Sequence, residues 1–320
     1  MEKEVDIVAL GELLIDFTEA GISKGGQKLF EQNPGGAPAN LLTAASHMGY
    51  KTAFVGKVGK DMHGAFLKQT LEQEGICTDY IIEDEECFTT LAFVEINSSG
   101  EREFSFARKP GADTRLRKEE LNRDLLESCK VFHYGSLSLT DEPARSATLE
   151  AIRIAKAAGA LISYDPNYRA SLWKDVTTAV ETMKSVISYA DIMKVSDEES
   201  LLLTGETEYP KALEALLNMG PRLAAITLGR EGVLLGIRDR FEIVPGYLVK
   251  TVDTTGAGDS FWGGFLSALL RQDDKLENRS WDNLKECARF GNAVAALCVQ
   301  KRGGIPAIPR KTAIEELYHG

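Results

Sequence analysis

The chain is short of positive charge. Across 320 residues, 37 Lys and Arg stand against 48 Asp and Glu, a formal net charge of −11. Nucleic acid and anionic membrane both require clustered Lys and Arg, so neither is expected as the main partner, although a local basic pocket for a phosphorylated ligand is compatible with the balance. Cysteine is sparse, odd in number and never in CxxC spacing: Cys77, Cys87, Cys129, Cys287 and Cys298. That pattern argues against a disulfide framework and for reduced thiols, most of them buried. The four histidines (His47, His63, His133, His319) form neither HxxxH nor HxH, so no structural zinc site is expected. No apolar run approaches the ~20 residues of a membrane span. The N-terminus MEKEVDIVALGELLIDF lacks the basic segment and long apolar core of a signal peptide, which points to the cytoplasm. Two nucleotide motifs are also missing. There is no GxxxxGK[ST], and the GxGxxG begun by Gly256 fails at its third glycine, where Phe261 stands. A P-loop protein and a dehydrogenase are both disfavoured.

What is present is ordinary globular composition, 43% hydrophobic and 27% charged, in a chain long enough to bury a large core. Short apolar runs alternate with helical patterns. VDIVALGELL, TAFVGKVG, VFHYGSLSL, LISYDPN, LAAITLGREGVLLGI (two strands and a turn) and FEIVPGY read as strands, and DIMKVSDEE as a strand running into a loop. APANLLTAASHMGY, GAFLKQTLEQEG, EPARSATLEAIRIAKAAG, YPKALEALLNMG, SFWGGFLSALLRQ and WDNLKECARFGNAVAALCVQK read as helices. The alternation predicts an α/β fold with a mostly parallel central sheet flanked by helices. Two stretches, roughly 17–33 and 87–113, lack helical period. The second is two β-type runs joined by the turn signal NSSGE, a hairpin. Together they predict a small β-sheet lid inserted in a single domain spanning 1–320, with no internal repeat or linker.

The segment with most chemical content is TVDTTGAGDSFWGGF, Thr251 to Phe265. Small residues lead into a helix, so free N–H groups and the positive end of the helix dipole face outward, an arrangement suited to an anion. Phosphoryl transfer spreads charge over equatorial oxygens that such donors stabilise. Asp259, beside them, could take a proton from an attacking hydroxyl, and the dipole should keep it ionised. On spacing alone, Asp259 serves equally well as a helix N-cap.

DTTGAGDSFWGGF resembles the second signature of the PfkB, or ribokinase-like, carbohydrate kinases, and residues 5 to 308 follow that family in order. The resemblance implies a three-layer ribokinase-like body with a lid, and Asp259 as catalytic base with Gly256, Ala257 and Gly258 as anion hole. It also implies that Asp16 of GELLIDF and Gly35, Gly36 and Asn40 of PGGAPAN hold the sugar, since carboxylates and amides bond vicinal hydroxyls. The first family signature, GYKTAFVGKVGKDMHG, is mostly structural, and His63 and Lys60 receive no catalytic role. Within the family, GGAPAN, LAFVEINSSGEREFSFARKPGAD and SYDPNYRASLW are most similar to fructokinases. By that likeness Phe106 and Arg108 point from the lid over the sugar, Thr89 lies nearby, and Arg169 sits near the transferred phosphate or the sugar. Phe88 departs from the Arg common at its position in plant fructokinases.

For the nucleotide, the resemblance implies Lys194 and Glu199 of KVSDEE, the latter acting on Mg²⁺ through water, which suits an ion that keeps several waters. Ser196 replaces the usual Asn of that motif. Thr227, Gly229 and Gly232 of TLGREG match the ATP phosphate and ribose segment, and Asn292 the position beside adenine. A monovalent cation, potassium, would be held near Asp253, Thr255, Cys298, Lys301 and Gly303, with Ala307 at a position that elsewhere carries Ser.

These expectations amount to an ATP-dependent fructokinase making fructose 6-phosphate. A kinase of 2-keto-3-deoxygluconate, ribose or a nucleoside is the alternative, and a non-catalytic sugar sensor the alternative of another class. In this family open lids often pair across a two-fold axis, which implies a homodimer through the lid.

Overall fold

The computed structural model describes residues 3–96, 102–271 and 275–319. Its strands are β1 (Val5–Leu10), β2 (Leu14–Ile22), β3 (Lys28–Gly35), β4 (Thr52–Gly59), β5 (Ile76–Cys77), β6 (Ile81–Asp84), β7 (Leu91–Ile96), β8 (Arg102–Ala107), β9 (Cys129–Tyr134), β10 (Leu161–Tyr164), β11 (Ile192–Ser196), β12 (Leu223–Thr227), β13 (Gly232–Ile237) and β14 (Arg240–Pro245). The helices are α1 (Ala37–His47), α2 (Met62–Gln73), α3 (Arg123–Ser128), α4 (Ala144–Ala157), α5 (Val176–Ile187), α6 (Asp197–Thr204), α7 (Tyr209–Asn218), α8 (Ala257–Leu270), α9 (Trp281–Cys298) and α10 (Lys311–His319).

The large sheet runs β14-β13-β12-β11-β10-β9-β1-β4-β5, with β6 beside β4. Pairings from β12 through β5 are parallel, and the β12-β13-β14 edge is antiparallel. The apolar strands are buried on both faces, as parallel strands covered by helices must be. In β1, Ile7 and Ala9 join a core shared with α1, α8 and α9, whereas Val8 and Leu10 join a second core shared with α4, α5 and α7. The pleat thus splits one strand between two helical layers. No described helix is long and apolar enough to cross a membrane. All five cysteines are free thiols, and Cys129, Cys287 and Cys298 are buried.

A second sheet, order β3-β2-β7-β8, lies apart from the first. β2 and β3 pair antiparallel, as do β7 and β8, and β2 joins β7 in parallel. The predicted NSSGE turn between β7 and β8 lies outside the described residues.

Several elements differ from the sequence reading. VDIVALGELL is not one strand: β1 ends at Leu10, and Leu14 already belongs to the second sheet. KVSDEE is not a strand running into a loop. Ser196 is the N-cap of α6, and its side chain accepts from Glu199 N while the Glu199 carboxylate accepts from Ser196 N. This Ser-x-x-Glu capping box was visible in the sequence. α5 is not among the helices the periodicity predicts, although Asp175 caps it and its apolar residues are spaced for one buried face.

Candidate active site

Two helix starts meet under the second sheet. α8 begins at Gly256, whose φ of +74° is a left-handed conformation that a Cβ would strain. The N–H groups of Gly258 and Asp259 lie in the first turn, where no intrahelical acceptor exists. Ala257 differs: its N–H donates to Thr254 O at 3.2 Å, so it is spent on the turn. α1 begins at Gly36, with φ +122° and its Cα against the Glu12–Leu13 backbone. One turn into α1, the Asn40 amide donates from Nδ2 to Oδ2 of Asp259 at 2.8 Å.

Asp259 is 9% exposed. Burial, then the neighbouring Asp165, push its carboxyl up to about 6, against the pull of Lys194, the Asn40 bond and Arg169. Burial is the largest of these influences. The carboxylate still outnumbers the acid by about ten to one at pH 7.

Lys194, on β11, is buried and reaches Asp165 Oδ2 at 2.8 Å. Burial disfavours its charge, but Asp165, Glu199 and Asp259 outweigh that and raise its pKa. A Cβ on Gly258 would lie 2.8 Å from its Nζ, so the ammonium sits against the start of α8. Glu199 is buried with both oxygens engaged, Oε1 by Tyr168 N at 2.7 Å and Oε2 by Ser196 N at 2.8 Å. Asp253 accepts from Thr255 N (2.8 Å) and from Gly303 N (3.0 Å), tying two loops together. Cys298 adds a long S–H contact to Thr255 O at 3.8 Å.

These groups surround a cavity of about 680 Å³. Asp16, Gly36, Asn40, Phe106, Arg169, Lys194, Glu199, Thr227, Gly256, Gly258 and Asp259 all line it. Asp253, Thr255 and Gly303 also line it. Gly35 abuts Asp16, since a Cβ there would lie 2.3 Å from Asp16 Oδ2.

Other expected residues do not line the cavity. Arg108 is 5% exposed and fully committed: Nη2 pairs with Asp113 at 2.7 Å and donates to Leu137 O at 2.8 Å, while Nη1 donates to Thr140 Oγ1 at 2.9 Å. These bonds tie the end of β8 to Asp113, Leu137 and Thr140. Thr89 donates to Asp61 Oδ1 and accepts from Gly59 N, supporting the cap of α2. Asn292 donates to Val244 O and Pro245 O, both at 3.0 Å, and so holds the end of β14. Gly229 and Gly232 form the turn from β12 to β13, and Lys301 is exposed off the cavity wall. Ala307 is buried in the core shared with α1 and α8.

Two acids escaped the sequence reading. Asp165 follows β10 in SYDPN, where a buried acid at a strand end was the available signal. Glu12, from GELLIDF, is 3% exposed, lines the cavity and accepts from Ala37 N at 2.9 Å.

Residues 5–311 match the profile of the pfkB family carbohydrate kinases. Fructokinase-2 of Solanum lycopersicum is 45% identical over 314 residues, covering 97% of this chain and 94% of its own length. The structure of fructokinase from Xylella fastidiosa with bound ATP superposes with a TM-score of 0.92 at 32% identity, covering 100% of this chain and 99% of that one. Fructokinase from Vibrio cholerae O395, in its fructose, ADP and calcium ion bound form, gives 0.88 at 31% identity, with 98% of each chain covered. The α/β body with its second sheet is the ribokinase-like fold of these sugar kinases, and the chain belongs to the pfkB family of carbohydrate kinases.

Proposed function

We propose that the chain is an ATP-dependent fructokinase that phosphorylates the 6-hydroxyl of D-fructose. The observation that carries this is Asp259, buried in the first turn of α8, bonded to Asn40 and lining one cavity together with Asp16, Lys194 and Glu199. Full-length likeness to fructokinases supports the choice of sugar.

In this reading Asp16, Gly35, Gly36 and Asn40 hold the sugar hydroxyls and Phe106 covers the ring. Asp259 accepts the proton of the 6-hydroxyl as O6 attacks the γ-phosphorus in line. The O6–P bond forms, the bond to the β-phosphate oxygen breaks, and fructose 6-phosphate and ADP result. The N–H groups at Gly258 and Asp259, with Lys194 and Arg169, stabilise charge on the transferring group. Thr227 lies on the nucleotide side. Closure of the second sheet over the sugar keeps water, the competing acceptor, away.

Glu199 fits a Mg²⁺ held through water: its orientation is set by two backbone bonds, and its remaining lone pairs are acceptors for the ion's waters. The ion's contribution is neutralisation of phosphate charge. Asp253, Thr255 and Gly303 offer oxygen donors on two tied loops, a set suited to K⁺. The chain pairs as a homodimer through its second sheet, where Ile22 and Leu29 are exposed.

The test is ADP release with Mg-ATP over fructose, glucose, ribose, mannose and 2-keto-3-deoxygluconate, with and without K⁺, for wild type and Asp259→Asn. Turnover on fructose that collapses in the variant is expected. Turnover on another sugar alone would move the substrate, and no turnover on any would overturn the mechanism. Sedimentation of wild type against Ile22→Asp tests the dimer.

A further inference from the structure

We infer that Glu12 is a positioning residue for the sugar subsite: it caps helix α1 from outside the helix and so holds Asn40 against Asp259. The inference rests on the sugar-kinase reading above.

α1 has no cap of its own. Its N-cap is Gly36, which carries no side chain; no acid stands in its first turn, and Pro38 has no N–H to donate. Ala37 N–H is therefore one of the helix's orphan donors, and it is met by Glu12 Oε1 at 2.9 Å, from a residue 25 positions earlier. A carboxylate at this end also complements the helix dipole.

The turn and the acid interlock through the backbone as well. A Cβ on Gly36 would fall 2.4 Å from the Glu12 carbonyl oxygen, so the glycine turn lies directly on Glu12. Asn40 N donates to Gly36 O at 3.0 Å, within the first turn of the helix. The Asn40 side chain then reaches Asp259. A loss of the cap at Glu12 is transmitted over a single helical turn to the proposed base.

Glu12 also faces the cavity beside Asp16 and Asn40. Burial pushes its carboxyl up to about 7, with its own N–H, Ala37 N–H and the Arg108 charge pulling it down and Asp113 opposing them. Of the hydrogen bonds that favour its ionised form, its own N–H counts first and that of Ala37 second.

The experiment compares Glu12→Gln, Glu12→Asp and Glu12→Ala with wild type for fructose KM, ATP KM, kcat, and the acidic limb of the kcat/KM profile. Glutamine keeps an acceptor for Ala37 N–H, so its fructose KM should stay within about threefold of wild type. Aspartate is one carbon too short and alanine has no acceptor, so both should raise the fructose KM about tenfold, with ATP KM within about twofold. Both should also move the acidic limb to higher pH, because the Asn40 bond is one of the interactions that lower Asp259's pKa. The other groups around Asp259 are Asp165, Arg169, Lys194 and Cys298, none of which these variants alter, and Glu12→Asp also keeps a carboxyl at position 12, so its limb reports Asp259 without the loss of a second acid. A merely structural role would lower the amount of folded enzyme without moving that limb.

Unchanged fructose KM and acidic limb in both Glu12→Asp and Glu12→Ala would overturn the inference. So would a Glu12→Gln enzyme as impaired as Glu12→Ala, which would assign the effect to charge and not to the cap. If Glu12→Ala does not fold, the aspartate and glutamine pair decides by the same readouts. Wild type inactive on fructose but active on another sugar would sink the fructose reading alone, and the comparison would then run on that sugar.

Discussion

The Asn40 side-chain amide and the Asp259 carboxylate meet at 2.8 Å, joining the first turns of α1 and α8, and both residues are buried. The bond favours the ionised acid, against burial that favours the neutral one. Asn40→Ala should therefore raise the pKa of Asp259 above its value of about 6 and shift the acidic limb of kcat/KM to higher pH. A fall of about 10- to 100-fold in kcat/KM is expected as the base also loses its orientation. A pH–rate profile with an unmoved limb would contradict the assigned pairing.

In wild type the same acid sets the low-pH behaviour. Below about 6, Asp259 takes up its proton and can no longer accept one, so kcat/KM should fall about tenfold per pH unit. Stability runs the other way. Because the folded pKa is raised from 3.8, the contribution of Asp259 to stability is fully present below 3.8 and is lost as pH rises through about 6. Asp259→Asn should thus be inactive yet more stable at pH 7–8, by on the order of 1–3 kcal/mol. Urea unfolding at pH 4 and pH 8 checks the sign: the gain should vanish at the lower pH.

Lys194 and Asp165 form a buried pair, and removing one partner strands the other. Lys194→Met should cost about 3–5 kcal/mol of stability and abolish turnover. Adding Asp165→Asn should recover part of the stability, because the carboxylate bonded to Nζ is gone while Glu199 and Asp259 still lack the cation, but none of the activity, because the cation facing α8 is still missing. Denaturant midpoints alongside turnover separate the two effects.

Arg108 should behave as a brace. Arg108→Met leaves Asp113 buried beside Thr90, whose hydroxyl donates to it at 2.5 Å, but without its cation. A loss of about 3–5 kcal/mol is expected, partly restored by Asp113→Asn. Fructose KM of the folded double variant should stay within about threefold of wild type, since the guanidinium does not line the cavity and its donors are spent on Asp113, Leu137 and Thr140. A fructose KM raised in proportion to the charge lost would return Arg108 to the sugar.

The layered body was legible because strands buried on both faces read as unbroken apolar runs and the helices between them carry glycine stops. α6 was not legible as read, although its capping box was written in Ser196 and Glu199. Phe106 and Arg108 stand two apart, and strict alternation would put both on one face. β8 ends at Ala107, however, so the alternation no longer governs Arg108, and Asp113, Leu137 and Thr140 take its donors. Thr89 and Asn292 are likewise engaged by groups distant in the chain, Thr89 by Asp61 and Asn292 by the carbonyls of Val244 and Pro245, which spacing does not reveal.

The sequence by itself determined the family, the fold class and the residues whose chemistry is set locally. A run of small residues before a helix leaves N–H groups without intrahelical acceptors wherever it is placed, so the free N–H groups at Gly258 and Asp259 were legible, whereas the bond that takes the Ala257 N–H was not. Tertiary structure alone decided the company those residues keep. Asp165 and Lys194 are 29 positions apart, Glu12 and Ala37 are 25 apart, and Asn40 and Asp259 are 219 apart. No local pattern encodes such pairs. They arise when parallel strands align their carboxyl ends and two helix starts are packed against one another, and the resulting burial is the largest influence on the proton affinity of Asp259.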